Sequence, residues 1–217
     1  MYKFFILILL LSFPAQASLL ISYDSLYRKM KTLQKPEYSD LTLAFLLTNT
    51  ERNTKCRYID LRLVSDLHNI ELYLSANGEI SLPFDEVLKD SKARLVLQQA
   101  DNHARCELTL VLRTRMPLAV SIQQRQLVHY QQQFKLVLAD LAGSVSKRWL
   151  PEIKGLIVVF TENVNPSEIV SQLTSEQQAA TQCKQNRCQI DLTALTTSDE
   201  LWTFKQKPAY LLPLMQQ

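Results

Sequence analysis

Glycine is scarce in this chain: Gly78, Gly143 and Gly155 are the only three in 217 residues, and they lie far apart. Loops that cradle a phosphate need clustered glycine, because several backbone N–H groups must approach the anion closely. A Gly-x-Ser-x-Gly nucleophile elbow cannot be built either. Histidine is as rare, with His68, His103 and His129 and no His or Cys partner at i+4 within its own element, so no helical metal-ligand pair is present. Charge of one sign is also lacking. Lys plus Arg number 24 against 21 Asp plus Glu, a net charge of +3, which excludes the concentrated basic face of a nucleic-acid binder. There is no Cys-x-x-Cys, the usual redox-active pair. Past the first residues, no apolar run approaches the roughly twenty residues that cross a membrane.

What is present begins at the N-terminus. Met1-Tyr2-Lys3 carries one positive charge and is followed by the apolar run FFILILLLSF from Phe4 to Phe13. The run is about half the length of a membrane span. Pro14-Ala15-Gln16-Ala17 follows, and Ala15-x-Ala17 is the small-x-small pattern that a signal peptidase accepts. The expectation is a signal peptide over residues 1–17, cleaved between Ala17 and Ser18. Losing Lys3 with it leaves a charge of +2. Export to the periplasm follows, with release further outward left open, and no transmembrane segment remains after the leader is removed.

Four cysteines, Cys56, Cys106, Cys183 and Cys188, form an even count in an exported chain, which favours disulfides. Local pairing, Cys56–Cys106 and Cys183–Cys188, is the simplest scheme. A four-thiolate zinc site is the alternative, but Cys56 and Cys106 lack the tight spacing of zinc ligands. Lys184 and Arg187 would repel as direct partners, so a four-residue loop is expected between the last two cysteines.

From Leu41 to Ile122 the apolar residues alternate with period two, as in Leu41-x-Leu43-x-Phe45-x-Leu47 and Ile59-x-Leu61-x-Leu63. Asn77-Gly78 is a strong hairpin signal between two such runs. A short helix over about Asp24 to Leu33 precedes them. After Arg125 the spacing becomes helical through Leu127, Tyr130, Phe134, Val137, Leu138, Leu141 and Val145, and this helix is expected to run to Trp149, before Pro151. Leu156–Phe160 reads as a strand, Asn165-Pro166-Ser167-Glu168 as a helix start, Cys183–Leu192 as a hairpin and Ser198–Phe204 as a terminal helix. The fold class expected is therefore α+β: an N-terminal antiparallel β-sandwich-like region over residues 18–122, followed by a smaller α+β region over 123–217.

Candidate chemistry is thin. Ser144-Val145-Ser146-Lys147 matches the Ser-x-x-Lys of penicillin-recognising enzymes, but that fold's other elements are missing. Polar residues at a helix end explain it better. Asp85-Glu86 and Asp199-Glu200 are sequence neighbours that point apart on a helix, so neither is a two-carboxylate machine. Trp149 and Trp202 are read as core or boundary packing. No catalytic, cofactor-binding or metal-binding residue is assigned, and no cofactor is implied.

Several stretches together resemble an exported family of Gram-negative bacteria, the domain-of-unknown-function family numbered twenty-nine eighty-seven. They are Tyr23-x-x-Leu26-Tyr27, Leu43-Ala44-Phe45-Leu46-Leu47, Ser81-Leu82-Pro83-Phe84-Asp85, Cys106, and Trp149-Leu150-Pro151-x-x-Lys154-Gly155-Leu156. The resemblance implies periplasmic residence and brings no activity. The sequence thus points to a non-enzymatic binding or envelope-assembly accessory protein with an envelope protein as its partner. A hydrolase of unrecognised type and a small-ligand binder are the competing readings.

Overall fold

A computed structural model describes residues 18–49, 54–99, 106–115, 117–146, 149–161, 173–193, 195 and 199–216. The leader with Ala17, the turn at His103, the helix start at Asn165 and the cap at Ser198 lie outside these residues, as does Lys147.

The chain is α+β, mostly sheet, and the paired strands all run antiparallel. Strand β1 (Ser18–Ser22) leads straight into helix α1 (Tyr23–Thr32). A 3-10 turn (Pro36–Tyr38) then delivers β2 (Leu41–Asn49). Next come β3 (Thr54–Lys55), β4 (Tyr58–Val64), β5 (Asn69–Glu71), β6 (Glu79–Ile80), helix α2 (Glu86–Asp90), β7 (Arg94–Gln99) and β8 (Cys106–Thr114). One sheet has the order β1-β7-β4-β5. In a second, β2 pairs along its whole length with β8 on one side and, on the other, with the short β6 and β3.

The later part opens with β9 (Ser121–Gln123) and the long helix α3 (Gln124–Ser146), then β10 (Ile153–Val159), α4 (Ser175–Ala179), β11 (Thr181–Lys184), β12 (Arg187–Asp191), β13 (Leu201–Thr203) and β14 (Tyr210–Met215). Its sheet has the order β11-β12-β10-β14, and β9 pairs separately with β13.

Two apolar clusters hold these layers together. The second cluster is built from Tyr23, Leu26 and Tyr27 of α1, Leu88 of α2, Leu61, Leu63, Leu95 and Leu97 of the first sheet, and Phe45, Leu47 and Ile80 of the sheet around β2. The first cluster centres on Leu127, Phe134 and Val137 of α3, packed on Leu156, Ile190, Trp202 and Leu211. It also takes in Leu33, Tyr38, Leu41, Leu112 and Leu118, so it draws on both sides of the 122/123 position. Leu43 packs against both clusters.

Four local expectations are corrected. Ser198–Phe204 was expected to be helical. Instead Leu201–Thr203 is strand β13, with Trp202 and Phe204 buried while Leu201 is exposed. Trp202 pairs with Ile122 of β9 and is fully buried, as its reading as core packing expects. The hairpin of β11 and β12 turns through Gln185-Asn186 alone, with Lys184 opposite Arg187. Gln185 adopts φ 55°, which makes the tight turn feasible, and both basic side chains are solvated. Helix α3, expected as one continuous helix, is kinked at Gly143, with φ 71°, and resumes through Ser146. Finally, Trp149 is 86% exposed, not packed in a core or boundary.

Helix α2 interrupts the run of strands and is anchored by Tyr23. The buried Tyr23 hydroxyl donates to the Pro83 carbonyl at 2.6 Å and accepts from the Asp85 N–H at 3.0 Å. Asp85 in turn caps α2 by accepting from the Val87 N–H at 2.7 Å. Burial pushes the Tyr23 phenol above its ordinary range, partly offset by the Asp85 N–H bond. The hydroxyl therefore contributes stability below pH ~10 that is lost as pH rises through the folded-state value. Tyr23→Phe is expected to cost about 1–2 kcal/mol at neutral pH, because two main-chain groups lose their partner. It should also flatten the alkaline loss of stability. Urea melts of both proteins at neutral and alkaline pH check this; an unchanged midpoint at neutral pH would contradict it.

Candidate functional site

A groove of about 260 Å³ and mixed character lies beside β2. Met30, Leu33 and Gln34 of α1 and its C-terminal end form one wall. Thr42, Leu43 and Phe45 of β2 line the floor, and Glu79 to Leu82 with Phe84 close the far end. Arg115 stands at the near end. Consecutive residues of one strand, whose side chains point to opposite faces, line the same cavity. That happens only when the cavity runs along the edge of the strand.

Each wall has a local cause. Helix α1 turns Leu26 and Leu33 to the cores, leaving Met30 half-buried at the groove. Phe84 is 46% exposed and stacks on Tyr27 with ring centroids 4.7 Å apart. Lys31 and Lys89 sit over the same Tyr27 ring at 5.9 and 5.4 Å. The Arg115 Nε donates to the Ser39 carbonyl at 3.1 Å and its Nη2 to the Leu41 carbonyl at 3.2 Å. Glu79 is neutralised by Arg113, whose Nη2 donates to Oε1 and Oε2 at 2.8 and 2.9 Å, while the guanidinium lies over the Tyr210 ring at 5.0 Å. The acid at the groove is thus paired, whereas the bases around it are not all so occupied.

A polar seam fixes the 35–40 segment against α3. Lys35 Nζ and the Tyr38 hydroxyl both donate to Asp140 Oδ2, at 2.6 and 2.9 Å. Burial, and then the Asp140 hydrogen bond, raise the Tyr38 phenol above its usual range. The Gln133 amide donates to the Glu37 carbonyl at 3.0 Å and to Asp40 Oδ2 at 3.3 Å. Beside this seam, a smaller pocket of about 160 Å³ is lined by Ser39, Asp40, Thr114, Gln126 and Tyr130, with Leu118 at its base. His129 Nε2 lies 3.5 Å from Asp40 Oδ2, with both side chains about half exposed.

The residues singled out from sequence fall as follows. Cys56 is disulfide-bonded to Cys106, with Cα atoms 5.6 Å apart, and Cys183 to Cys188 at 4.0 Å. Ser18 opens β1. His68 sits in a turn with Nδ1 3.4 Å from Ser65 Oγ. Asp85 caps α2, Glu86 pairs with Lys89, and Asp199 lies 3.7 Å from Arg125. Among the described residues no group of three His, Cys, Asp or Glu side chains could hold a metal ion. Sequence reasoning missed the groove. Met30, Leu82 and Arg115 are spread over the chain, and an unpaired stretch of strand leaves no compositional mark. The one local signal was Asp85 after Pro83-Phe84, a helix cap that marks where the strand run stops.

Comparison with known proteins yields a match to the family described as Protein of unknown function (DUF2987), covering residues 15–160. No curated protein and no solved structure matches the chain.

Proposed function

We propose that this chain, which belongs to the DUF2987 family, is a non-enzymatic exported protein that binds a partner protein in the envelope or assists an assembly there. The observation that carries the reading is the groove beside β2, where Met30, Leu43 and Leu82 stand among polar side chains, with a paired acid and a guanidinium at one end. An elongated groove along a strand edge, mixing polar and apolar side chains, suits a protein segment. The two disulfides are compatible with an oxidising compartment, and the leader reading supplies a route to it. Under the same reading, the two N-terminal sheets form a sandwich-like frame for the groove, since both contribute to one apolar cluster.

One experiment addresses export and binding together. Tagged protein recovered from the periplasmic fraction should begin Ser-Leu-Leu-Ile-Ser, and gentle crosslinking before recovery should retain an envelope protein. An intact Met1 in membrane fractions would sink the export reading. Recovery of no partner above background under several crosslinking conditions would sink the binding reading.

The hydrolase alternative has one observation in its favour, the His129–Asp40 pair beside the smaller pocket. Turnover in a broad hydrolase screen that disappears on His129→Ala would replace the binding reading with it.

A further inference from the structure

We infer that the groove takes an extended, acidic-apolar peptide segment by strand addition to β2. This rests on the binding reading above and names the chemistry of the partner.

In an antiparallel pair, the main-chain groups of successive residues point alternately to the two sides of the strand. The Asp40 carbonyl accepts from the Arg115 N–H at 2.7 Å, at the end of the β2–β8 ladder. Even-numbered residues of β2 therefore face β8. Odd-numbered ones face away, and the Leu47 N–H does so, donating to the Gly78 carbonyl at 2.9 Å. On that far side β3 covers Thr48 and Asn49, and β6 covers Phe45 and Leu46. The chain then leaves the sheet after Ile80, because Pro83 and the Tyr23 hydroxyl draw it toward α2. Among the described residues no strand pairs with Leu41 to Ala44 on this side. The Leu41 carbonyl is capped by Arg115. The Leu43 N–H and carbonyl are left directed into the groove.

An incoming strand placed in line with β6 can exchange both bonds with Leu43. Strand addition of this kind derives affinity from the main chain and specificity from alternate side chains. One set of alternate side chains would enter the apolar side among Met30, Leu43 and Leu82. The other would face Thr42 and Ser81. Charge selects an acidic segment. Arg113 neutralises Glu79, while Arg115 spends two donors on carbonyls and, as a guanidinium with five N–H groups, keeps others for a carboxylate. Lys31, over the Tyr27 ring, adds positive charge nearby, whereas Lys89 is already paired with Glu86 and Asp90.

The test is selection of binders from a random displayed peptide library on the full-length protein. Winners should carry apolar residues at alternate positions with acidic residues among them. A synthetic winner N-methylated at the residue facing Leu43 should bind at least tenfold more weakly than its parent. Leu43→Pro, which removes the open N–H while leaving the β8 ladder intact, should weaken the parent peptide to a similar degree. Met30→Glu should do so too, by placing a like charge in the wall. If Leu43→Pro fails to fold, the N-methyl comparison on the unaltered protein still decides. Helical i, i+3, i+4 spacing among the winners, no enrichment at all, or an N-methylated peptide that binds as well as its parent would each overturn strand addition. Such results would leave the wider binding reading to stand or fall on the crosslinking experiment.

Discussion

Replacing Cys106 by serine should lower stability by about 4 kcal/mol, while replacing Cys183 should cost about 2 kcal/mol. In the chain-entropy view, a disulfide acts by restricting the unfolded chain, and the effect grows with the loop closed. The Cys56–Cys106 bond spans a separation of 50 residues and the Cys183–Cys188 bond one of 5. Packing points the same way. Cys56 and Cys106 are both buried in the second cluster, so an unpaired partner would sit in an apolar site next to a serine hydroxyl. Cys183 is only partly buried, at the tip of a hairpin already joined by ladder bonds. For a chain of this size the larger loss corresponds to roughly 10 °C in Tm. Calorimetry on Cys56→Ser, Cys106→Ser and Cys183→Ser measures the order directly. Equal losses, or a larger loss for Cys183→Ser, would show that the long loop is not what the bond restrains.

Gly155→Ala is the second substitution expected to do severe damage, although it adds a single methyl group. Gly155 lies in β10 opposite Asp191 of β12. A Cβ built there would come 1.9 Å from the Ile190 carbonyl oxygen and 2.9 Å from its carbon. Both are backbone atoms of the neighbouring strand, so no rotamer change can relieve the clash. The two strands must part, and they carry Leu156, Val158, Cys188 and Ile190 of the first cluster. Overpacking usually costs about 1–3 kcal/mol, and a backbone clash between core strands should exceed that range. Gly143→Ala is the control. The open space around Gly143 offers no steric conflict, although its φ of 71° adds strain of its own. Urea unfolding of both variants checks the contrast; a Gly155→Ala protein with wild-type stability would mean that β10 and β12 pack less closely than described.

Much of the architecture was legible because burial in this protein follows simple periods. Leu61, Leu63, Leu95 and Leu97 alternate inward on β4 and β7 as the sequence implied, although Ile59, expected on the same face, is exposed where the register of β4 shifts against β7, and Leu127, Phe134 and Val137 share one stripe of α3. The failures are local and have one kind of cause. Leu201-Trp202-Thr203 has too few residues for either period to be seen, and its strand geometry comes from Ile122, far away in sequence. The two-residue turn at Gln185-Asn186 depends on a non-glycine residue accepting positive φ, which no composition rule favours. Leu118 and Ile122 lie in the first cluster with Leu127. The groove was illegible for a different reason. The groove lies where the chain leaves the sheet after β6, beside the bond from the Tyr23 hydroxyl to the Pro83 carbonyl, and only the fold brings those two residues together.

The make-up of the two clusters also orders events in time. Every residue of the second cluster lies between Leu19 and Leu110, whereas the first cluster draws on residues as late as Met215. A chain that folds from its N-terminus can therefore close the second cluster, and bring Cys56 to Cys106, before its later residues take their places. Until α3 arrives, Leu33, Tyr38, Leu41 and Leu112 remain uncovered as an adhesive face.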